Sequence, residues 1–221
     1  MNLKPDYIFG DMHLGDRGMF ARTYSKTFET QEQYQQELIS RWNKIVTEEN
    51  KIVFLLGDLG QRSDIQKVIP QLRGRKYLIL GNHDTYGKSF YNDLFVEVFD
   101  APVFIGRRCV LSHHPIPVEP GVVNIHGHTH DVFLASELHF NACPEHHEYK
   151  PLNIKKLELK LLGKLPKPNR KFLHEWYADI QTSPPRDDLI FKEGNLIDAK
   201  ATLEKRYREW LETQSNLDKT E

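Results

Sequence analysis

The sequence predicts an α/β domain followed by a C-terminal extension, and three observations support this fold class. Between Asp6 and about Phe140, short apolar runs alternate with amphipathic segments, as is typical of α/β domains. Three of the apolar runs end in a glycine followed by a polar residue. The 221 residues, 39% of them hydrophobic and 28% charged, are enough for one domain with a substantial core and an appendage.

The first half of the domain alternates strands with helices. The predicted strands are residues 7–9, 52–56 and 77–80. A helix is predicted over residues 32–49, where Tyr34 and Leu38 begin an apolar stripe with the helical period. A shorter helix over residues 64–72 joins the second strand to the third. This order predicts parallel pairing through right-handed crossovers, and functional residues gather at the carboxyl ends of such strands.

The second half of the domain shows strands without helices between them, at residues 103–105, 109–112, 122–126, 132–134 and 138–141. We expect these strands to form a second, more antiparallel sheet. Residues 152–162 form a short closing element, for which a helix beginning at Asn153 is one alternative. The core domain is therefore expected to cover residues 1–163.

Residues 164–221 form the predicted extension. Two prolines within residues 163–169 indicate a linker, and a helix is predicted from Asp198, as its N-cap, to about Gln214. The apolar stripe of this helix is expected to dock on the core or on a second subunit. A homodimer through the extension is thus one expected partner.

Charge and hydropathy exclude several classes of protein. Thirty basic and thirty-one acidic residues leave a net charge of −1. Tight binding to long duplex nucleic acid is not expected, because it depends on many contacts between basic side chains and phosphates. We find neither a signal peptide nor an apolar run long enough to span a membrane, so we expect a cytoplasmic protein with no membrane partner. Cys109 and Cys143 are expected to be buried reduced thiols.

The histidines are distributed unevenly along the chain, because eight of the eleven lie from His113 to His147. Residues two apart on an extended chain point to the same side, so Asp11 and His13 can hold one cation together. One such pair is common by chance. Five ordered clusters at strand ends instead indicate a metal centre: Asp11-Met12-His13, Gly57-Asp58, Gly81-Asn82-His83-Asp84, Ser112-His113-His114-Pro115 and Gly127-His128-Thr129-His130.

The residue types in these clusters indicate the metal and the chemistry. Imidazoles with carboxylates and an amide oxygen, and no thiolate, suit Mn²⁺, Zn²⁺, Fe or Ni²⁺ rather than Ca²⁺ or an iron–sulfur cluster. Seven candidate ligands exceed the need of one tetrahedral ion, so two ions are expected, and Asp58 can bridge them through its two oxygens. Two cations about 3.5–4 Å apart acidify a water and neutralise phosphate oxygens, which predicts phosphoester hydrolysis.

The ordered set of clusters resembles the calcineurin-like metallophosphoesterases, over about residues 6–157. Within that superfamily the spacing resembles the small bacterial and phage phosphoesterases, with their D-x-H-x-G start and the runs L-L-G-D, L-I-L-G-N-H-D and S-H-H-P-I. The resemblance implies a four-layer α/β/β/α sandwich of two mixed sheets. It also implies that residues 1–163 are a catalytic domain.

The resemblance further implies a role for each matched residue. Asp11, His13 and His130 are expected to hold the first metal ion. Asn82, His113 and His128 are expected to hold the second, with Asp58 bridging the two. His83 is expected to act as the general acid and Asp84 to orient its ring, while a metal-bridging hydroxide is the nucleophile. Mn²⁺ is the expected ion, with Zn²⁺, Fe and Ni²⁺ as alternatives.

Several residues beside the motifs leave alternatives open. His114 is either functional or a wall of the pocket, and His126 is expected to be a core histidine or to support a ligand. An exposed surface position is expected for His139, His146 and His147, the last two of which could border the pocket. Many small relatives carry Arg-Pro-Phe before the long helix, where this chain has Ser-Lys-Thr-Phe, so a substitute for that arginine is expected among Arg17, Arg22 and Lys26.

The predicted chemistry is phosphoester hydrolysis, and the resemblance implies a phosphodiesterase that acts on a small phosphorylated or nucleotide-like substrate. A phosphomonoesterase and a nuclease for short single-stranded ends are the alternatives among enzymes. The nuclease would use aromatic side chains to stack bases, and the candidates are Tyr24, Phe28, Tyr86, Phe90 and Tyr91. A catalytically silent metal-binding scaffold for a protein partner is the alternative of another class, although no expected ligand is missing.

Overall fold

The computed structural model describes residues 4–162, apart from residues 107, 119, 120, 133 and 135. The predicted linker, the predicted helix over residues 198–214 and the expected dimer contact lie outside the described residues. In chain order the elements are β1 (Tyr7–Phe9), α1 (Arg17–Arg22), α2 (Gln31–Ile45), β2 (Ile52–Leu55), α3 (Arg62–Val68), β3 (Arg75–Ile79), α4 (Lys88–Asn92), β4 (Glu97–Phe99), β5 (Val103–Ile105), β6 (Cys109–Ser112), β7 (Val123–His126), β8 (His139–Asn141), β9 (Leu152–Asn153) and α5 (Ile154–Leu162).

The first sheet confirms the predicted parallel pairing. Its strand order is β4-β3-β2-β1-β9, and β1 to β4 pair in parallel, while β9 runs antiparallel to β1 at the edge. The register places Phe9 opposite Leu55 and Leu55 opposite Leu78. The carboxyl ends of the three central strands therefore lie side by side. The edge strand β4 was not predicted, because it includes the exposed Glu97 and is not the apolar run that marks the other parallel strands of this sheet.

The second sheet has the order β5-β6-β7-β8. The prediction that it is more antiparallel is wrong, because β6 pairs in parallel with β7 and β7 with β8, and β5 and β6 form its antiparallel pair. The chain returns between the parallel strands over residues 113–122 and 127–138 without a described helix. The prediction of a strand at residues 132–134 is also wrong, because Val132 and Leu134 do not lie in a strand. The N–H of Val132 instead closes a turn by donating to the carbonyl of Thr129 at 2.8 Å.

Three apolar clusters define the layers. The first packs the inner faces of α2 and α3 against the first sheet, where the buried Trp42 lies 5.4 Å from the ring of Phe9. The second lies between the sheets and includes α5, and the third packs the outer face of the second sheet against Val118 and Val122. The expected two mixed sheets with helices are confirmed. Over the described residues, a loop rather than a helix covers the outer face of the second sheet.

The ends of the helices follow local hydrogen bonding. α2 begins after Thr30, whose hydroxyl accepts from the N–H of Gln33, and ends at Ile45, where the chain becomes extended. α5 follows Asn153, whose side chain accepts from the N–H of Lys156 at 3.1 Å, in agreement with the helical alternative for this segment. None of the described helices is long and apolar enough to span a membrane.

His139 fastens β8 to the loop that covers the second sheet. Its Nε2 donates to the carbonyl of Ile116 at 2.9 Å, and its Nδ1 lies 2.9 Å from the hydroxyl of Ser136, a partner that can donate to the neutral ring. Burial lowers the pKa of His139, and the bond to Ile116 offsets part of this effect. The folded protein therefore favours the neutral ring.

A histidine whose pKa is lowered by folding binds a proton on unfolding, so stability declines as the pH falls below the unfolded pKa of about 6.5. We expect the free energy of unfolding to fall less steeply between about pH 7 and about pH 5 in His139→Gln than in the wild type. Urea denaturation of both proteins at the two pH values measures this slope. An identical slope would contradict the assignment of a neutral, buried His139.

Candidate metal centre

The loops that follow five strands meet at one edge of the two sheets. The chain passes from β1 to Asp11, from β2 to Asp58 and from β3 to Asn82, and in the second sheet from β6 to His113 and from β7 to His128. Contacts between side chains join all seven predicted ligands into one cluster, which comprises Asp11, His13, Asp58, Asn82, His113, His128 and His130.

One half of the cluster is centred on His13. Its Nε2 lies 3.2 Å from Nε2 of His130 and 3.6 Å from Oδ2 of Asp58. In the same half, Oδ2 of Asp11 accepts from the N–H of His128 at 2.5 Å and from the thiol of Cys143 at 2.9 Å. Imidazole nitrogens that face each other at this distance can direct their lone pairs at one cation.

The other half is centred on His113. Its Nε2 lies 2.9 Å from Oδ1 of Asn82 and 3.4 Å from Oδ2 of Asp58, and its ring centroid lies 5.0 Å from that of His128. Oδ2 of Asp58 is therefore shared between the two halves. The ring of His114 lies 4.1 Å from that of His128, and nitrogens of His113, His114 and His128 form one candidate metal-binding group.

The charges of this cluster fit divalent cations. Asp11 is 0% exposed and Asp58 is 2% exposed, and the ion pairs described for both carboxylates are all with histidines. Oδ1 of Asp11 is buried without a hydrogen bond, because Nδ1 of His113, 3.2 Å away, bonds to the carbonyl of Leu56 at 2.7 Å. A buried carboxylate oxygen without a partner is costly, and a cation at this position satisfies it.

Burial would by itself raise the pKa of Asp11, but the neighbouring imidazoles of His113, His130 and His13 together outweigh burial and hold that pKa below its usual value. Burial likewise opposes the charge on His113, whereas Asp11 and Asp58 raise the pKa of that imidazole well above its usual value. The lowered pKa of Asp11 and the raised pKa of His113 both indicate buried carboxylates that stay ionised and attract positive charge. Burial and the neighbouring His113 and His128 lower the pKa of His114 to about 3, so this ring is neutral and able to act as a ligand or an acceptor.

Backbone strain is concentrated at the same residues. His13, Asp58, His128 and His130 have φ angles of 43°, 50°, 64° and 42°, in the left-handed region that residues other than glycine rarely adopt. Such strain persists where the surrounding structure enforces it, and it is enriched at functional sites. Two glycines allow the loops to approach one another: a Cβ on Gly81 would lie 2.2 Å from Oδ1 of Asp58, and one on Gly127 2.4 Å from Oδ2 of Asp11.

His83 and Asp84 take different positions in the loop after β3. The side chain of His83 is exposed, and its ring centroid lies 5.8 Å from that of His13. Asp84 is buried, and its oxygens accept from the N–H groups of Asp58, Leu59 and Gly81 at 2.8–2.9 Å. Burial raises the pKa of Asp84 to about 6, although these hydrogen bonds oppose the shift. The expected contact of Asp84 with the His83 ring is replaced by bonds to the backbone, because the carboxylate is turned into the loop.

Two buried tyrosines of the helical layer hold the chain that leaves β1. The hydroxyl of Tyr24 donates to the carbonyl of Asp11 at 2.8 Å, and that of Tyr34 donates to the carbonyl of Met12 at 2.6 Å. Their rings pack on each other with centroids 4.6 Å apart. The helical layer therefore fixes the backbone at the first metal-ligand motif.

The histidines outside the motifs are more buried than expected. His126 is 1% exposed and bonds to the carbonyl of Gly127, which agrees with the expected core or supporting role. The exposed positions expected for three others are wrong, because each is half-buried and bonded to a carbonyl: His139 to Ile116, His146 to His130 and His147 to Asn141. Asn141 has a structural role, since its amide donates to the hydroxyl of Thr129 and the carbonyl of His130.

Sequence reasoning missed Glu145. Its Oε1 lies 2.7 Å from Nδ1 of His130, and its side chain is 9% exposed. Burial disfavours the charged ring of His130, but the hydrogen bond to Glu145 contributes to a raised pKa of that imidazole. No motif marks a glutamate fifteen positions after its partner, and only the return of the chain past β8 brings the two together.

We expect Tyr34→Phe to lower the free energy of unfolding by about 1–3 kcal/mol, because the buried carbonyl of Met12 loses its donor. Urea denaturation measures the change. Tyr86→Phe is a matched control, since the hydroxyl of Tyr86 accepts from the N–H of Arg62 at an exposed position and its loss should have a smaller effect. Equal losses in the two variants would contradict the special role of the Tyr34 hydroxyl.

Comparison with known proteins identifies the family. The family model described as calcineurin-like phosphoesterase matches residues 7–218. A solved structure from Aquifex aeolicus, described as the protein of unknown function AQ665, is similar with a TM-score of 0.55 and 21% identity, covering 69% of this chain and 96% of that chain. This likeness concerns the fold alone. No curated protein gives a significant match. The chain belongs to the calcineurin-like phosphoesterase family of metal-dependent phosphoesterases, whose members generally bind divalent metals.

Proposed function

We propose that this protein is a dinuclear metal-dependent phosphohydrolase, a phosphodiesterase that acts on a small or nucleotide-like substrate. The observation that carries the proposal is that contacts join seven candidate metal ligands into one cluster, which contains a buried carboxylate oxygen of Asp11 without a hydrogen bond. Four donors come from the first sheet and three from the second, so the fold as a whole assembles the site.

The contacts support two neighbouring cation positions. Asp11, His13 and His130 would hold one, and Asn82, His113 and His128 would hold the other. Asp58 would serve both, because its Oδ2 lies 3.6 Å from Nε2 of His13 and 3.4 Å from Nε2 of His113. Two divalent ions there, Mn²⁺ or else Zn²⁺, Fe or Ni²⁺, would acidify a water for attack on phosphorus and neutralise the phosphate oxygens.

His83 is suited to donate the proton that the leaving oxygen needs. Its exposed ring stands at the rim of the cluster, next to His13, where a bound substrate can reach it. Its backbone is held in place because its N–H donates to Oδ1 of Asp58 at 2.9 Å. Asp84 contributes by fixing the backbone of the same loop at Gly81.

The structure also bears on the choice of substrate. Four of the five aromatic side chains considered for base stacking are buried in the core, namely Tyr24, Phe28, Phe90 and Tyr91. This burial favours a small substrate over a single-stranded nucleic acid.

Among the candidate substitutes for the missing arginine, Lys26 pairs at 3.7 Å with Asp131, the residue directly after His130, and both side chains are 65% exposed. Lys26 is therefore a candidate contact for the substrate phosphate.

We expect Asp58→Asn to lower kcat for bis-nitrophenyl phosphate, assayed with Mn²⁺, by more than about 100-fold. Mutation of a residue that only supports a metal ligand typically lowers activity by about 10–100-fold, and Asp58 is proposed to bind both ions itself. The exposed Glu97 of the edge strand β4 provides a matched control as Glu97→Gln, which should retain activity. Substantial turnover by Asp58→Asn would contradict the dinuclear mechanism. Wild-type protein that binds Mn²⁺ but hydrolyses neither this diester nor nitrophenyl phosphate would favour the scaffold alternative.

His83→Ala is expected to lower kcat by about 10²–10⁴-fold for diesters with alkyl leaving groups, because these oxygens need a proton as they depart. The loss should be smaller for nitrophenyl esters, whose leaving group is a stable anion. Steady-state kinetics over a series of leaving groups measures the difference. An equal loss for all leaving groups would contradict the role of His83 as general acid.

A further inference from the structure

We infer that Glu145 is a positioning residue that fixes the His130 ring for binding a cation, an inference that rests on the proposed function of the cluster. Glu145 lies in the 3₁₀ turn Pro144–His146, outside the metal-ligand motifs. The contact between its Oε1 and Nδ1 of His130, at 2.7 Å, connects this turn to the candidate metal centre.

The hydrogen bond determines which nitrogen of His130 faces the centre. An ionised carboxylate can only accept, so Nδ1 of His130 must carry the proton in this bond. Its Nε2, 3.2 Å from Nε2 of His13, is then left with a lone pair for a cation. A carboxylate behind a metal-binding imidazole sets both the tautomer and the direction of the ring.

The same short segment also holds the backbone of His130. The carbonyl of His130 accepts from the amide of Asn141 at 2.8 Å and from Nε2 of His146 at 2.7 Å. These bonds hold His130 in its left-handed conformation, with φ at 42°. Ring and backbone are therefore fixed from one side by residues 141–146, and Glu145 provides the part that acts on the ring.

The burial of Glu145 supports a specific role. Its side chain is 9% exposed, and its Oε2 is buried without a hydrogen bond among the described residues. A carboxylate kept there for packing alone would be unfavourable, since a buried charge needs partners. His13, whose Nε2 faces that of His130, has a weaker counterpart of this contact: its Nδ1 lies 3.4 Å from Oδ2 of Asp16, whose side chain is 32% exposed. His130 thus has the closer and more buried carboxylate.

Calorimetric titration of the metal-free full-length protein with Mn²⁺ tests the inference in Glu145→Ala, Glu145→Gln and the control Glu97→Gln. We expect Glu145→Ala to weaken one of two binding events by about 10–100-fold. Glu145→Gln should lose less Mn²⁺ affinity than Glu145→Ala, because the glutamine amide oxygen can still accept from Nδ1–H of His130. The absorption spectrum of the Co²⁺-loaded protein should change in Glu145→Ala and stay unchanged in Glu97→Gln.

Two outcomes would overturn the inference. One is wild-type affinity and an unchanged Co²⁺ spectrum in Glu145→Ala. The other is an equal loss of affinity in the alanine and glutamine variants that parallels an equal loss of unfolding free energy, which would assign Glu145 a purely structural role. Because binding is measured without substrate, a wild type that binds two ions but hydrolyses nothing refutes the proposed function and leaves this test intact.

Discussion

Two carboxylates, Asp11 and Asp58, are buried side by side in a centre whose described charge partners are histidines. Buried negative charge is tolerated only with nearby positive charge or donors, and this constraint shapes the surroundings of both residues. The parallel register of β1 and β2 brings the two residues to the same edge of the sheet. From the second sheet, His113 reaches both carboxylates, with contacts of 3.2 and 3.4 Å.

The rest of the domain keeps this arrangement rigid. The tyrosine hydroxyls of the helical layer hold the carbonyls that follow β1, and Asp84 holds three N–H groups of the loops after β2 and β3. Four strained backbone conformations remain in place because bonds on several sides enforce them. Rigid placement of ligands before any ion or substrate arrives is what preorganised metal chemistry requires.

The sequence was sufficient to predict the parallel first sheet and the meeting of the seven candidate ligands at one edge, because both depend on local patterns: apolar runs, and polar residues soon after them. It was insufficient for features that depend on the path of the chain. The parallel pairing of β6 with β7 depends on the return of a loop without helical periodicity. The contact of Glu145 with His130 depends on the turn after β8, and the inward direction of Asp84 depends on unpaired N–H groups of a neighbouring loop.

The division of the donors between the sheets has a consequence for the cohesion of the domain. Asp11, His13, Asp58 and Asn82 extend from the first sheet, and His113, His128 and His130 from the second. Under the proposed function, ions shared by both groups would act as a reversible crosslink between two layers that otherwise adhere through the apolar cluster between them. Because ions that bind the folded state stabilise it, chelation would then weaken the contact between the sheets as well as empty the site.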